Sequence, residues 1–360
     1  MEPFVCKTRI YAGRGSLSVL REAGIRKPFL VADPYFTENG MARKVLQLTG
    51  ATQSYLFSEV KPDPDVQLVA RAAARAREFA PDAVIALGGG SALDCAKAVS
   101  YFQPQPMRLV AIPTTSGSGS EVTDFAVLSH DGVKHPLVDE RLQPELAILD
   151  GDLTDGMPPS LVAATGFDAI AHAVESFVGK NASPFTDALA CDAFCTLTQL
   201  LPQAYRGDTT SRQQLHTASC MAGLAFTRAG LGLCHALSHS LGGLLHLPHG
   251  VLNAILLPEV IGINAQAAGE KYLRLCRASG LGGAAASMGV RNLRNGLCRL
   301  RRELGLPQSL QQAGADLQLL RQHRQQLVKT TLEDPCCLTN PVPVEAHLVV
   351  QLLDEVSGNG

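Results

Sequence analysis

The sequence predicts an α/β domain built on a parallel sheet, followed by an all-helical domain. Three observations predict it. Short apolar runs without alternation recur as far as Asp150, as strands buried on both faces do. Helical patterns separate those runs. After Asp150 the strand signals fade and helical patterns take over.

Residues 4–11 read as an opening strand. Residues 27–33 (KPFLVAD) are an apolar run ending in an acid, and residues 65–79 are Ala- and Arg-rich with helical spacing. Residues 82–87 (DAVIAL) form a buried strand stopped by Gly88-Gly89-Gly90, and residues 92–99 resume a helix. Residues 108–112 (RLVAI) are a further strand, closed by Pro113, and residues 145–149 (ELAIL) are the last. A turn-rich joint at 151–159 sets the expected domains at 1–152 and 153–360. In the second domain Pro184 opens a helix with Asp187 near its positive end. Leu293, Leu297, Leu300 and Leu304 stripe another helix, and residues 281–286 form a small-residue connection.

The 46% apolar and 18% charged content is that of a globular chain. A net charge of −2 gives no electrostatic case for binding nucleic acid or an acidic membrane. The ten cysteines include no C-x-x-C pair and sit mostly among apolar residues, which points to a reducing, cytosolic compartment. No signal peptide is expected, and no uninterrupted apolar run is expected to span a bilayer. The longest such stretch, 251–263, carries Asn253, Pro258 and Glu259.

Two loops follow buried strands. Leu87-Gly88-Gly89-Gly90-Ser91 precedes a helix, where glycine lets the backbone approach a pyrophosphate and the helix start offers N–H groups. A tight strand-to-helix turn has the same composition. The loop is neither G-x-G-x-x-G nor a P-loop. Residues 113–121 (PTTSGSGSE) are rich in hydroxyls and glycine, and could equally be a surface loop; two such loops at strand ends favour a ligand, since open α/β sheets bind there. Asp33 can accept from a ribose 2′-hydroxyl or cap the turn beside Pro34.

Four candidate metal ligands follow. Asp168 and His172 are four apart, so a helix presents both on one face. His235 and His249 form a second pair. An aspartate with three imidazoles suits Fe²⁺ or Zn²⁺. A single histidine is more often a packed or surface residue, and His130, His135, His216, His323 and His347 keep that reading, with His246 at a pocket wall. H-x-x-E ends on Glu175 with Ser176 after it, so the H-x-x-E-H metalloprotease pattern fails, and H-E-x-x-H is absent.

These residues stand in five ordered motifs: Gly88-Gly89-Gly90-Ser91-x-x-Asp94-x-x-Lys97; Pro113-Thr114-Thr115-x-Gly117-x-Gly119-Ser120-Glu121; Gly166-x-Asp168-Ala169-x-x-His172; Gly230-Leu231-Gly232-x-x-His235-x-x-x-His239; and Pro248-His249-Gly250-x-x-Asn253. Together they resemble the iron-containing (group III) alcohol dehydrogenases over nearly the whole chain. The likeness is strongest to the enzymes of bacterial propanediol and ethanolamine utilisation. The resemblance implies a Rossmann-like NAD(H) domain and a helical domain of the dehydroquinate synthase-like fold, with one Fe²⁺ on Asp168, His172, His235 and His249. It implies that Asp33, Gly89, Gly90, Ser91, Asp94, Thr114, Thr115, Ser118 and Lys134 contact the cofactor. It also implies a role for His239 in proton transfer, and a homo-oligomer (dimer or larger) acting on a small aldehyde or alcohol in the cytoplasm or inside a bacterial microcompartment, with a shell protein as a partner. Nothing before Thr8 reads as a helical encapsulation tail. The match thins between 280 and 324. Phe125, Phe167 and Leu237 are expected at the pocket wall. A zinc polyol dehydrogenase or cyclising synthase of the same fold is the competing enzyme reading. A non-catalytic compartment protein is the other, and the intact ligand set argues against it.

Overall fold

The computed structural model describes residues 4–130 and 133–358. Contacts divide the chain into two compact units, Met1–Gly156 and Met157–Gly360.

The first unit holds strands β1 (Arg9–Ala12), β2 (Pro28–Ala32), β3 (Tyr55–Phe57), β4 (Ala83–Gly88), β5 (Arg108–Pro113), β6 (Phe125–His130), β7 (Val133–Val138) and β8 (Leu146–Leu149). Six of them form one sheet in the order β1-β8-β5-β4-β2-β3, with every neighbouring pair parallel. The unalternated runs have a direct cause. Phe29, Val31, Val84, Ala86, Leu109 and Ala111 join a core with Leu68, Val69, Leu93 and Ala96 of the helices Val66–Phe79 and Gly90–Tyr101. The intervening Leu30, Ala32, Ile85, Leu87, Val110 and Ile112 join a second core with Leu17, Leu20, Ala42 and Val45 on the other face. Each Val, Leu, Ile or Phe side chain so buried contributes about 1.5–3 kcal/mol.

The expected strands fall within a few residues of their places, and β3 was not foreseen. The opening one is shorter and later than 4–11, and the helix after β4 begins at Gly90 instead of Ala92. An antiparallel hairpin of β6 and β7 was not foreseen. Lys97 is 1% exposed, and its ammonium donates to Thr123 O (3.0 Å), Thr123 Oγ1 (2.7 Å) and Phe125 O (2.8 Å), holding the hairpin's first residue to the helix.

The second unit is helical among its described residues. Ser183 caps the helix Pro184–Tyr205 in a capping box with Thr186. Asp187 lies in its first turn and pairs with Lys271 (3.0 Å) and Arg274 (3.3 Å). Leu293, Leu297, Leu300 and Leu304 are all buried, the first three on the helix Ala286–Glu303. The 30-residue helix His249–Ala278 contains Pro258, which offers no N–H to the carbonyl of Ala254 four residues back. Buried Arg301 donates to that carbonyl at 3.1 Å instead.

Two helices depart from the expectation that no stretch could span a bilayer. Pro159–Val178 and His249–Ala278 are long and apolar enough by length and composition, and the bent pair Thr209–Ala229 and Leu233–Leu245 would make a third. The expectation considered only uninterrupted runs; these helices qualify on average. The most apolar stretch of Pro159–Val178 is 89% buried, and that of His249–Ala278 is 61% buried.

Candidate metal centre and nucleotide loops

In the first unit, β2, β4 and β5 are adjacent and end together, with Ala32 opposite Leu87 and Gly88 opposite Pro113. Asp33 N donates to Leu87 O, and Thr114 N to Gly88 O, both at 3.0 Å. Asp33, the glycine loop and the Pro113 loop therefore share one edge of the sheet. The loops touch closely. A Cβ at Gly89 would lie 3.3 Å from Thr115 Oγ1, and one at Gly90 would lie 3.2 Å from Ser118 Cβ. Gly89 caps the helix Gly90–Tyr101 with no side-chain bond to its first N–H groups, the geometry that suits a phosphate. Thr114 is buried, while Thr115, Ser118 and Ser91 are half-buried, and Ser91 Oγ accepts from Asp63 N at 3.3 Å.

Two residues of that set have structural work. One oxygen of Asp33 accepts from Tyr35 N at 2.9 Å, so the turn-cap reading of Asp33 is realised. Asp94 braces the loops from within: it accepts from Ser120 Oγ at 2.6 Å and from Val127 N at 3.1 Å. Lys134 lies on β7, and its side chain is outside the described residues.

In the second unit, Asp168 and His172 stand on Pro159–Val178, and His235 and His239 on Leu233–Leu245. His249 is the first residue of His249–Ala278. Gly250 lets that helix start lie against the first helix: a Cβ there would sit 2.0 Å from Ala164 O. One donor atom each from Asp168, His172 and His235 lie within 4.8 Å of one another. Asp168 Oδ1 is 3.7 Å from His235 Nε2 and 3.6 Å from His249 Nε2. A tetrahedral ion with bonds of about 2.1 Å has ligand edges of about 3.4 Å, so the spacing fits a single divalent ion. The His172 ring stacks between Phe226 (centroids 4.4 Å apart) and His235 (4.5 Å).

Glu175 and Asn253 orient the candidate ligands. Glu175 is 3% exposed. Its carboxylate accepts from Gly232 N (3.0 Å), Cys234 N (2.7 Å) and His235 Nδ1 (2.6 Å). Asn340 Oδ1 accepts from Leu233 N at 3.1 Å. The start of the Leu233–Leu245 helix is thus satisfied by residues remote in sequence, since its own cap is Gly232. With its Nδ1 proton on Glu175, His235 presents Nε2 as an acceptor. Asn253 Nδ2 lies 3.2 Å from that atom and donates to Asp168 Oδ1 at 2.7 Å.

The centre seeks a cation. Burial alone would lower the His235 pKa, but hydrogen bonds and charge from Asp168 and Glu175 outweigh it and hold it up to about 9. Burial pushes the Asp168 carboxyl up, yet His172, His249 and His235 hold it well below its usual range. Two buried carboxylates beside three imidazoles match a divalent ion in charge and in donor type.

His239 lies beside these ligands. Its ring is 9° from parallel with His249 at 5.2 Å, and its Nδ1 is 2.8 Å from Asp334 Oδ2. His246 ends its helix in the left-handed region and is exposed. Phe167 and Leu237, expected at a pocket wall, are fully buried in the helical core because both face inward among apolar neighbours. Phe125 is half-buried at the start of β6. Sequence reading missed the roles of Glu175, Asn253 and Asp334. The signals for Glu175 were its place three residues after His172, which served there to exclude a protease pattern, and its place at the end of the family motif Gly166-x-Asp168-Ala169-x-x-His172-Ala173-x-Glu175, and neither gave it a role.

A parallel-sheet unit with glycine and hydroxyl loops at its strand ends, and a helical unit with one aspartate and three histidines around a common point, define a metal-dependent dehydrogenase class. Comparison with known proteins gives the family. Residues 7–151 match the family described as iron-containing alcohol dehydrogenase, and residues 162–357 match its C-terminal part. The 1-propanol dehydrogenase PduQ of Citrobacter freundii is 38% identical over 369 residues, covering 99% of this chain and all of that one. The NADPH-dependent butanol dehydrogenase of Clostridium saccharobutylicum is 35% identical, over 95% of this chain and 94% of its own. The structure of sulfoacetaldehyde reductase from Bifidobacterium kashiwanohense in complex with NAD⁺ superposes with a TM-score of 0.89 at 26% identity, over the whole of both chains. The chain belongs to the iron-containing alcohol dehydrogenase family, and it is an oxidoreductase of alcohols and aldehydes.

Proposed function

We propose that this chain reduces a short-chain aldehyde such as propanal to the primary alcohol with NADH, reversibly, and that Asp168, His172, His235 and His249 hold one Fe²⁺. The observation that carries the reading is the convergence of Asp168, His172 and His235, with His249 Nε2 3.6 Å from Asp168 Oδ1 and Glu175 holding Nδ1 of His235 so that Nε2 is the free ring nitrogen. When bound, the ion supplies Lewis acidity toward a carbonyl oxygen, and the reduced nicotinamide supplies hydride.

The chain's own residues do the rest. Gly89, Gly90 and Ser91 offer a helix start to a diphosphate, and Thr114, Thr115 and Ser118 offer hydroxyls beside it. Asp33 favours NADH over NADPH, because its remaining carboxylate oxygen accepts from a ribose hydroxyl and repels a 2′-phosphate. Lys134 remains a proposed cofactor contact on resemblance alone. His239 passes a proton to the oxygen of the product, a role that its contact with Asp334 supports. The likeness to propanediol- and ethanolamine-branch enzymes supports a homo-oligomer in the cytoplasm or associated with a microcompartment shell. The two domains, 1–152 and 153–360, divide these tasks.

The test is anaerobic: metal analysis, then NADH-linked rates with propanal, glyceraldehyde and dihydroxyacetone on protein loaded with Fe²⁺ or Zn²⁺. The proposal expects the highest rate with propanal and Fe²⁺, with activity lost to a chelator. Full activity after metal removal, or a clear preference for the polyol substrates with Zn²⁺, would overturn it.

A further inference from the structure

Asp334 lies 95 residues from His239 in sequence, at the end of the helix Arg324–Glu333. Its Oδ2 is 2.8 Å from His239 Nδ1. Its Oδ1 accepts from Cys336 N at 2.8 Å, which fixes the carboxylate plane. The side chain is 14% exposed, against 26% for His239. The His239 ring is held from one side by its parallel stack on His249. His239, Asp334 and Cys336 also group as potential metal donors, but the contact between the first two has hydrogen-bond length, and an ion would have to break it.

Burial pushes the Asp334 carboxyl up, but the bond and charge of His239 and the Cys336 backbone outweigh that and hold it down at about 2. An ionised carboxylate only accepts, so Nδ1 is the donor and carries a proton. We infer that Asp334 is a positioning residue: it fixes His239 in the Nδ1–H form, so that Nε2, turned away from it, is the ring atom that exchanges a proton with the substrate oxygen. This rests on the aldehyde reduction proposed above. In that direction Nε2–H of the doubly protonated ring passes its proton to the oxygen that has gained the electron pair. The ring is left neutral with Nδ1–H still on Asp334, and water returns a proton to Nε2.

Asp334→Asn makes a sharp test. Cys336 N–H needs an acceptor, so the amide turns its oxygen there and its NH₂ toward His239. An amide donor at Nδ1 forces the proton onto Nε2 and blocks a second proton at Nδ1, so donation from Nε2–H would have to leave an anionic imidazolate. Two readouts decide. The first is the ¹⁵N spectrum of histidine-labelled, Zn²⁺-loaded protein, which reports the tautomer independently of turnover. Wild type is expected to show His239 as Nδ1–H, Asp334→Asn as Nε2–H, and Asp334→Glu as Nδ1–H. The second is kinetics on the Fe²⁺-loaded enzyme with propanal. Asp334→Asn is expected to lower kcat about 10²-fold with KM within about twofold and metal content unchanged, while Asp334→Glu recovers part of the rate. The double variant with His239→Ala should be no slower than His239→Ala alone. An unchanged tautomer in Asp334→Asn, full kcat in that variant, multiplying losses in the double variant, or equal losses in the Asn and Glu variants would each overturn the inference. If wild type reduces no aldehyde, the proposed function fails, and the tautomer spectrum alone decides the positioning role.

Discussion

Glu175→Gln changes one atom type at the point where the metal centre and a helix start meet. In the native chain Oε2 accepts from Gly232 N (3.0 Å) and His235 Nδ1 (2.6 Å), and Oε1 from Cys234 N (2.7 Å). Glutamine has one acceptor oxygen and one donor group in the same space. With its oxygen toward Cys234 N–H, its NH₂ faces Gly232 N–H and His235 Nδ1. The backbone donor is then orphaned, and the imidazole must carry its proton on Nε2, the atom that faces Asp168. With the amide reversed, the tautomer survives but Cys234 N–H is orphaned. An unsatisfied buried donor costs about 1–3 kcal/mol, and the surviving contacts lose their charge assistance, so a loss of about 2–4 kcal/mol is expected. Metal affinity is expected to fall about 10–100-fold, as it does when a ligand's orienting partner is replaced. Urea unfolding of the metal-free protein measures the first quantity, and competition against a chromophoric chelator measures the second. A glutamine variant that unfolds within about 0.5 kcal/mol of wild type and binds Zn²⁺ within about twofold would refute the reasoning.

Three further outcomes are expected. Asp33→Asn keeps the cap on Tyr35 N but removes the charge. The ratio of kcat/KM for NADPH over NADH should then rise at least about tenfold, and an unchanged ratio would remove Asp33 from nucleotide choice. Arg301→Met leaves Ala254 O without a donor and should cost about 1–3 kcal/mol in urea unfolding, a loss that Pro258→Ala in the same chain should largely restore. Lys97 has its pKa lowered from 10.5 to about 8, by burial against the opposing pull of Asp94, Glu121 and Asp124. Between pH 8 and 10.5 the unfolded chain therefore binds more protons at this lysine, so stability rises with pH through that window, by about 3 kcal/mol at most. Lys97→Met should flatten the rise, and an equal rise in both proteins would contradict it.

The elements legible in the sequence were those whose signal is local. β2, β4, β5 and β8 showed as unbroken apolar runs because both faces of the sheet are covered. Asp168 and His172 showed as a pair because one helical turn separates them. The hairpin Phe125–Val138 was illegible: Pro136 interrupts its second strand, and its first strand mixes buried and half-exposed positions without a polar face. Glu175 was illegible because its partners are backbone N–H groups more than 55 residues away, and any sequence carries those groups. Asp334 escaped for the same reason across 95 residues.

The two latest candidate ligands in the chain occupy positions that would ordinarily oppose a cation. His235 is the third residue of its helix and His249 the first of its own. A helix start carries roughly half a positive charge, so the two together contribute about +1 at the point where the donors meet. Imidazoles that have given up their protons to act as ligands do nothing to offset this. Asp168 offsets it as a candidate ligand, and Glu175 adds a further negative charge from behind His235 while accepting the very N–H groups that carry the positive end. With the three imidazoles neutral, as ligands must be, the balance would be about −1 without a divalent ion and about +1 with one. The first value draws the ion in, and the second favours negative charge developing on a carbonyl oxygen brought to it. Neutralising Glu175 moves both values up by one unit, which weakens the hold on the ion. The buried glutamate is therefore part of the charge balance of the centre as much as a brace for His235.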